Sequence, residues 1–215
     1  MKKIKTKKSI FSLLLLLILF YFSISLLMYL LFYTKDNIET TFTGLAPSNK
    51  MGKIYETIHK YKWINIGINT IIPLFSILYT TFCLYISFFL FDSKIKLKII
   101  AKAAIKSQFI FAFAFLFKLF WYYIKGIDNL FELNIMPFSL ASFFDIGYGD
   151  FDNSWLLFSL NSLNIFELAY MLFIPIALVK STSLRYKNLL KPTLWGYVTG
   201  LFLYLVLISL LTLTF

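Results

Sequence analysis

Two charged side chains lie inside apolar runs of this chain, and they are the first candidates for chemistry. Lys118 falls in the run 99–124 and Glu167 in the run 155–179. A charge at the centre of a membrane-crossing helix costs roughly 2.5–3.5 kcal/mol on insertion scales, so each side chain has to face protein and find a partner. Counted inward at about 1.5 Å per residue, Lys118 lies about 9 Å and Glu167 about 18 Å below the same end of their helices. Two long side chains, with or without one water, can bridge that gap. The spacing therefore allows a structural ion pair or a proton- or ion-coupled site.

Polar side chains accompany the charges. In the run 63–91, Asn65, Asn69, Ser76, Thr80, Cys83 and Ser87 fall within about 60° of one another on a helix of 100° per residue. Such a stripe is either a helix–helix seam or one wall of a polar pathway. Asn161, Asn164 and Glu167 step by three along the fourth run, on adjoining parts of one face. Gly196 and Gly200 form a G-x-x-x-G pair, a close-packing face in membrane helices. The loop Asp145-Ile146-Gly147-Tyr148-Gly149-Asp150 resembles the potassium-channel filter, in which backbone carbonyls coordinate ions. Here Asp145 replaces the expected threonine and Pro137 precedes the segment, so a turn in a surface loop accounts for it as well. Enzyme chemistry has little to work with. His59 and Cys83 are the only residues of their kinds, so no disulfide, metal site or cofactor is expected, and neither is catalysis.

The elements that must position these residues follow from composition. The 215-residue chain is 60% hydrophobic, 20% aromatic and 14% charged. A soluble domain averages about 45–50% apolar and about 25% charged residues, and only lipid as solvent explains the departure. Crossing the bilayer takes about 20 apolar residues. Five stretches qualify: 9–33, 63–91, 99–124, 155–179 and 194–215. The first is too long for a signal peptide and has no small-residue cleavage site after it, so it reads as a retained span. The expected fold is an all-α polytopic bundle of about five transmembrane helices in a single membrane domain, 1–215. Trp63, Trp121, Trp155 and Trp195 all fall at expected span ends, where amphipathic rings settle at the headgroups.

Loop charges set the orientation. The N-terminus and the second and fourth connections carry 14 Lys and Arg against Asp92 alone, while the opposite loops carry six bases and eight acids. The bias places the first side in the cytoplasm, giving N-in and C-out. It also explains the net charge of +11. These lysines set topology and attract anionic lipid headgroups on the cytoplasmic side, and no soluble segment is long enough to bind nucleic acid. Lys-, Ile-, Asn- and Phe-rich usage points to a bacterial inner membrane. In the first outer loop Met51, Ile54, Tyr55 and Ile58 recur at helical spacing after Ser48, a candidate N-cap. The spacing predicts a helix over 49–62 lying on the membrane surface, with His59 solvated upon it.

Met136-Pro137-Phe138-Ser139-Leu140-Ala141, followed by Leu163-Asn164-Ile165-Phe166 inside the next span, resembles the Yip family of Rab-GTPase-interacting membrane proteins over roughly residues 60–215. The family has a five-span layout, N-in and C-out. The eukaryotic members' long soluble N-terminal region has no counterpart in this sequence, and the family aspartate would be Asn164. The resemblance implies a non-enzymatic membrane scaffold or partner subunit, for example of a transport or export assembly, bound to other membrane protein subunits. The alternative is a small ion- or proton-coupled transporter or channel, built from the stripe of span two with Lys118 and Glu167.

The topology has a direct test. Cysteines introduced at Ser48 or Asn153 should react with a membrane-impermeant thiol reagent in intact cells, and cysteines at Ser93 or Ser183 should not. Labelling of Ser183→Cys from outside would overturn the five-span map.

Overall fold

The computed structural model describes residues 3–144, 154–182 and 184–214. Helices account for nearly all of the regular structure, and the described residues form no strand beyond two isolated bridges. Four helical stretches are long and apolar enough to cross a membrane: Ile10–Phe32, Lys62–Leu90, Leu97–Lys125 and Tyr186–Thr212. The chain is a multi-pass, membrane-integral helical bundle.

The first long helix, α1 (Lys3–Phe32), is apolar on every side from Ile10 onward. Only one stripe packs inward, through Leu17, Tyr21, Ile24, Met28 and Phe32, while Leu15, Leu19, Leu27 and Leu30 stay exposed. A helix that is apolar all round is one that lipid or protein surrounds completely. The chain then turns through α2 (Lys35–Phe42) and α3 (Met51–Lys60) into α4 (Lys62–Leu90). On α4, Phe75, Leu78, Phe82 and Phe89 form an exposed apolar flank opposite the buried Ile66, Ile77 and Leu84. The third crossing is α5 (Leu97–Ser107) and α6 (Phe109–Lys125), joined at Gln108, whose carbonyl still accepts the Ala112 N–H at 3.1 Å.

Two expectations change here. The last span, expected over 194–215, begins at Tyr186 as α10 (Tyr186–Thr214). Leu189 and Thr193 are fully buried against the bundle, so this polar-looking first part is protein-facing, and Thr193 returns its hydroxyl to the Leu189 carbonyl at 2.7 Å. The fourth span, expected as one helix over 155–179, is instead two: α8 (Ser154–Ser162) and α9 (Ile165–Val179). Both halves pack along α10.

The expected surface helix exists as α3, but it lies on the protein. Ile54, Tyr55 and Ile58 pack against a cluster of Ile24, Met28 and Phe32 from α1, Ile38 from α2, and Leu119 and Tyr122 from α6. Its N-cap position is Lys50 and not Ser48, which belongs to a short 3-10 turn. His59 is not solvated. Its Nδ1 and the Tyr29 hydroxyl share a hydrogen bond of 2.7 Å, and its ring packs at a tilt against Tyr55, 4.2 Å between centroids. We call this the loop end of the bundle; the end carrying Lys94, Lys106 and Lys180 is the basic end.

The closest helix contact is between α4 and α10. Gly196 and Gly200 face Cys83 and Ser87, and a Cβ placed on Gly196 would sit 2.6 Å from the Ser87 Cβ and 3.1 Å from the Cys83 carbonyl oxygen. Ser87 is itself held by a 2.6 Å bond to the Pro192 carbonyl. A Cβ on Gly200 meets the Cys83 Sγ at 2.8 Å, a side-chain end that can rotate. Overpacking of a tight site costs about 1–3 kcal/mol. Gly196→Ala should therefore lower the melting temperature in detergent by roughly 5 °C, and Gly200→Ala by less. Equal melting of Gly196→Ala and wild type would show that the seam is looser than this geometry.

Candidate functional site

The interruption between α8 and α9 gathers a cluster of polar side chains. Asparagine is a poor residue for a helix interior and a strong one for an N-cap, because its short side chain bonds nearby backbone. Asn164 takes up extended backbone (φ −135°, ψ 167°), and its Oδ1 accepts the Glu167 N–H at 3.0 Å. The order Asn164-Ile165-Phe166-Glu167 is a capping sequence, with an acid in the first turn where the positive helix end favours it. With 15 residues, about 22 Å, α9 is shorter than a hydrocarbon layer of about 30 Å.

Backbone released inside that layer has to be paired by protein. The loop before α8 does this. The Leu163 carbonyl accepts the Leu140 N–H at 2.9 Å, and Ser139 forms an isolated antiparallel bridge with Asn164. Asn161 reaches the same loop with both ends of its amide. Its Oδ1 accepts the Met136 N–H at 2.6 Å and its Nδ2 donates to the Asn134 carbonyl at 2.9 Å. Ser139, fully buried, caps the four-residue helix α7 (Leu140–Phe143) by accepting the Ser142 N–H at 3.2 Å. Phe138 supports the turn with φ of 60°, a region that disfavours a bulky side chain, while its ring lies 5.4 Å from Trp121 and 5.7 Å from Phe117. Asn161 and Asn164 are thus the clamps of a broken helix and do not line a continuous face.

The two charges are not brought together. Phe166 faces α6, with its ring 5.8 Å from Phe117. The next residue on a helix points about 100° away, so Glu167 turns toward α10, where its Oε1 accepts a hydrogen bond from the Tyr197 hydroxyl. Lys118 is 6% exposed on α6, and its ammonium lies 5.7 Å from the Phe115 ring centroid, a cation–π distance. The described residues hold two ion pairs, Lys35–Glu39 and Lys125–Glu132, both at the loop end, and neither involves Lys118. The expected pair assumed one uninterrupted helix; the break at Asn164 resets the facing of α9 and separates the partners.

The stripe on α4 also divides. Asn65 and Asn69 are exposed on its outer flank, Ser76 and Cys83 are half-buried, and Thr80 and Ser87 are buried. The buried part forms the seam with α10, through Ser87 and through Tyr79, whose hydroxyl donates to the Gly200 carbonyl at 2.8 Å. Between α4, α9 and α10 lies Tyr170, 0% exposed, with its ring 5.3 Å from Tyr197 and 4.7 Å from Phe111. Its hydroxyl is buried without a well-formed hydrogen bond among the described residues, beside Thr80. Tyr79 and Tyr197 were not singled out in the sequence, because 14 tyrosines in an aromatic-rich chain read as apolar filling. The spacings that mark Tyr170 and Tyr197 are Glu167-x-x-Tyr170 and the run Gly196-Tyr197-x-x-Gly200. No three His, Cys, Asp or Glu among the described residues group as metal ligands. The filter-like Gly147-Tyr148-Gly149 lies outside the described residues, as do Asp150, Asp152 and Asn153.

Removing the clamp has a measurable effect. Asn161→Ala removes the bonds to the half-buried Met136 N–H and the exposed Asn134 carbonyl, a loss of about 1 kcal/mol. Hydrogen exchange over residues 130–144 should rise and thermal stability fall, whereas Asn65→Ala, on the exposed flank, should change neither. Equal exchange in both variants would show that the loop does not depend on Asn161. The chain matches no protein-family model, no curated protein and no solved structure, so its function is read from the chemistry of these residues alone.

Proposed function

We propose that this chain is a non-enzymatic, multi-pass protein of a bacterial inner membrane, N-in and C-out, that works by binding partner proteins within the bilayer, as a subunit of a transport or export assembly would. One observation carries the reading. Polar side chains at the helix contacts hold the bundle together: Ser87 and Tyr79 on carbonyls of α10, Asn161 and Asn164 on the break and its loop. A helix bundle that uses these hydroxyls and amides for its own contacts is suited to packing and recognition. The resemblance to the Yip family implies the same class of role.

A second reading is favoured by a separate feature. Discontinuous helices near the bilayer midplane are the sites at which many carriers bind ions and substrates. Here α9 begins at a break, with Glu167 on Tyr197, and α6 buries Lys118 with no carboxylate partner among the described residues. Intramembrane ionisable groups of this kind serve proton or ion coupling in transporters.

The two readings separate by experiment. Glu167→Gln keeps an acceptor for the Tyr197 hydroxyl, and Lys118→Met replaces a buried charge with an apolar side chain of similar length. Because the two residues are not in contact, their stability effects should add to within about 0.5 kcal/mol, where a salt-bridged pair would show strong coupling. For a partner-binding protein, both variants keep the membrane proteins that co-elute stoichiometrically with wild type in mild detergent. A protein that elutes alone, moves protons or ions in liposomes, and loses that flux in either stable variant would overturn the proposal in favour of the carrier.

A further inference from the structure

At the basic end, the start of α1, the α5–α6 junction and the last turns of α9 enclose a groove of about 220 Å³. Its walls are apolar, with Leu13, Phe109, Phe173 and Ile176, and its rim carries Lys106 and Lys180. Phe173 and Ile176 are exposed, so the groove opens sideways at membrane depth. Lys102, one turn before Lys106 on α5, and Lys180 are the charged neighbours of Lys106. Lys106 and Lys180 thus share the groove rim, with Lys102 one turn away along α5, and no ion pair among the described residues involves them. The ion pairs among the described residues lie at the other end of the bundle, and Asp92 is the one acid in the connections of this end.

Like charges gathered at the edge of a low-dielectric groove repel one another unless an anion sits among them. An inorganic anion would satisfy the lysines and leave the apolar walls unused; a neutral lipid would do the reverse. We infer that the groove is a binding site for one anionic glycerophospholipid. Its headgroup phosphate sits among Lys102, Lys106 and Lys180, and an acyl chain lies along Phe109, Phe173 and Ile176. Basic pockets between helices at the cytoplasmic face recognise anionic lipids by this combination. The site goes beyond a diffuse attraction of basic loops to a charged surface, and it holds whichever functional reading is correct.

The test uses full-length protein in a neutral detergent and native mass spectrometry with phosphatidylglycerol, phosphatidylcholine or inorganic phosphate added. Phosphatidylglycerol should remain bound at one per protein, and neither of the other two should displace it. Lys106→Gln and Lys180→Gln should each weaken binding about fivefold, and the double variant about twenty-fivefold. Lys106→Arg with Lys180→Arg should keep it, which separates loss of charge from loss of fold. Lys35→Gln and Lys62→Gln at the loop end should have no effect. Equal retention of phosphatidylcholine, competition by inorganic phosphate, or unchanged binding in the double Gln variant would each overturn the site.

Discussion

A peptide group released from its helix inside hydrocarbon has no water to turn to, and much of this structure follows from that constraint at Leu163 and Asn164. The break frees backbone donors and acceptors, each of which costs several kcal/mol if left unpaired away from water. The segment from Asn134 to Ser142 is accordingly drawn into the bundle, where its own backbone pairs with the break. That in turn determines where the rings of Phe138, Phe117 and Trp121 pack, and which way α9 faces. Because α9 faces as it does, Glu167 meets Tyr197 and not Lys118.

The rest of the bundle treats polarity in the same way, as a means of joining helices where burial has little driving force. Lipid tails are as apolar as leucine, so α4 and α10 associate through glycines that let the backbones approach and hydroxyls that bond across the gap. At the loop end, where water returns, ordinary packing takes over. There α2, α3 and the 3-10 turn at Leu130–Asn134 close over α1 and α6, with Thr41 Oγ1 accepting the Leu130 N–H at 2.8 Å and the Tyr122 hydroxyl reaching the Ile135 carbonyl at 3.1 Å.

The helical class and most span limits were legible because they depend on averages, and long apolar runs survive averaging. Lys62–Leu90 and Leu97–Lys125 lie within a residue or two of their expected limits for that reason. The break was not legible to an average, since one asparagine barely lowers the hydropathy of a 25-residue window. Its signal was positional: an N-capping residue three places before a glutamate. Asn161 was seen as polar, but its partners at 134 and 136 lie 25 or more residues away, beyond what helical periodicity reports. His59 was misplaced for a related reason, because only tertiary packing tells that the apolar face of α3 meets α1 and not the lipid.

The break also orders assembly in time. The loop groups that pair with the Leu163 carbonyl and with the Asn161 amide lie earlier in the chain, so they already exist when α8 and α9 leave the ribosome. The carboxylate of Glu167 is different. Its hydroxyl partner, Tyr197, is synthesised thirty residues later, on the last helix. Neither α8 nor α9 reaches the length of about 20 residues that holds a helix across the bilayer unaided. The pair is therefore a provisional element until the arrival of α10, which flanks both halves.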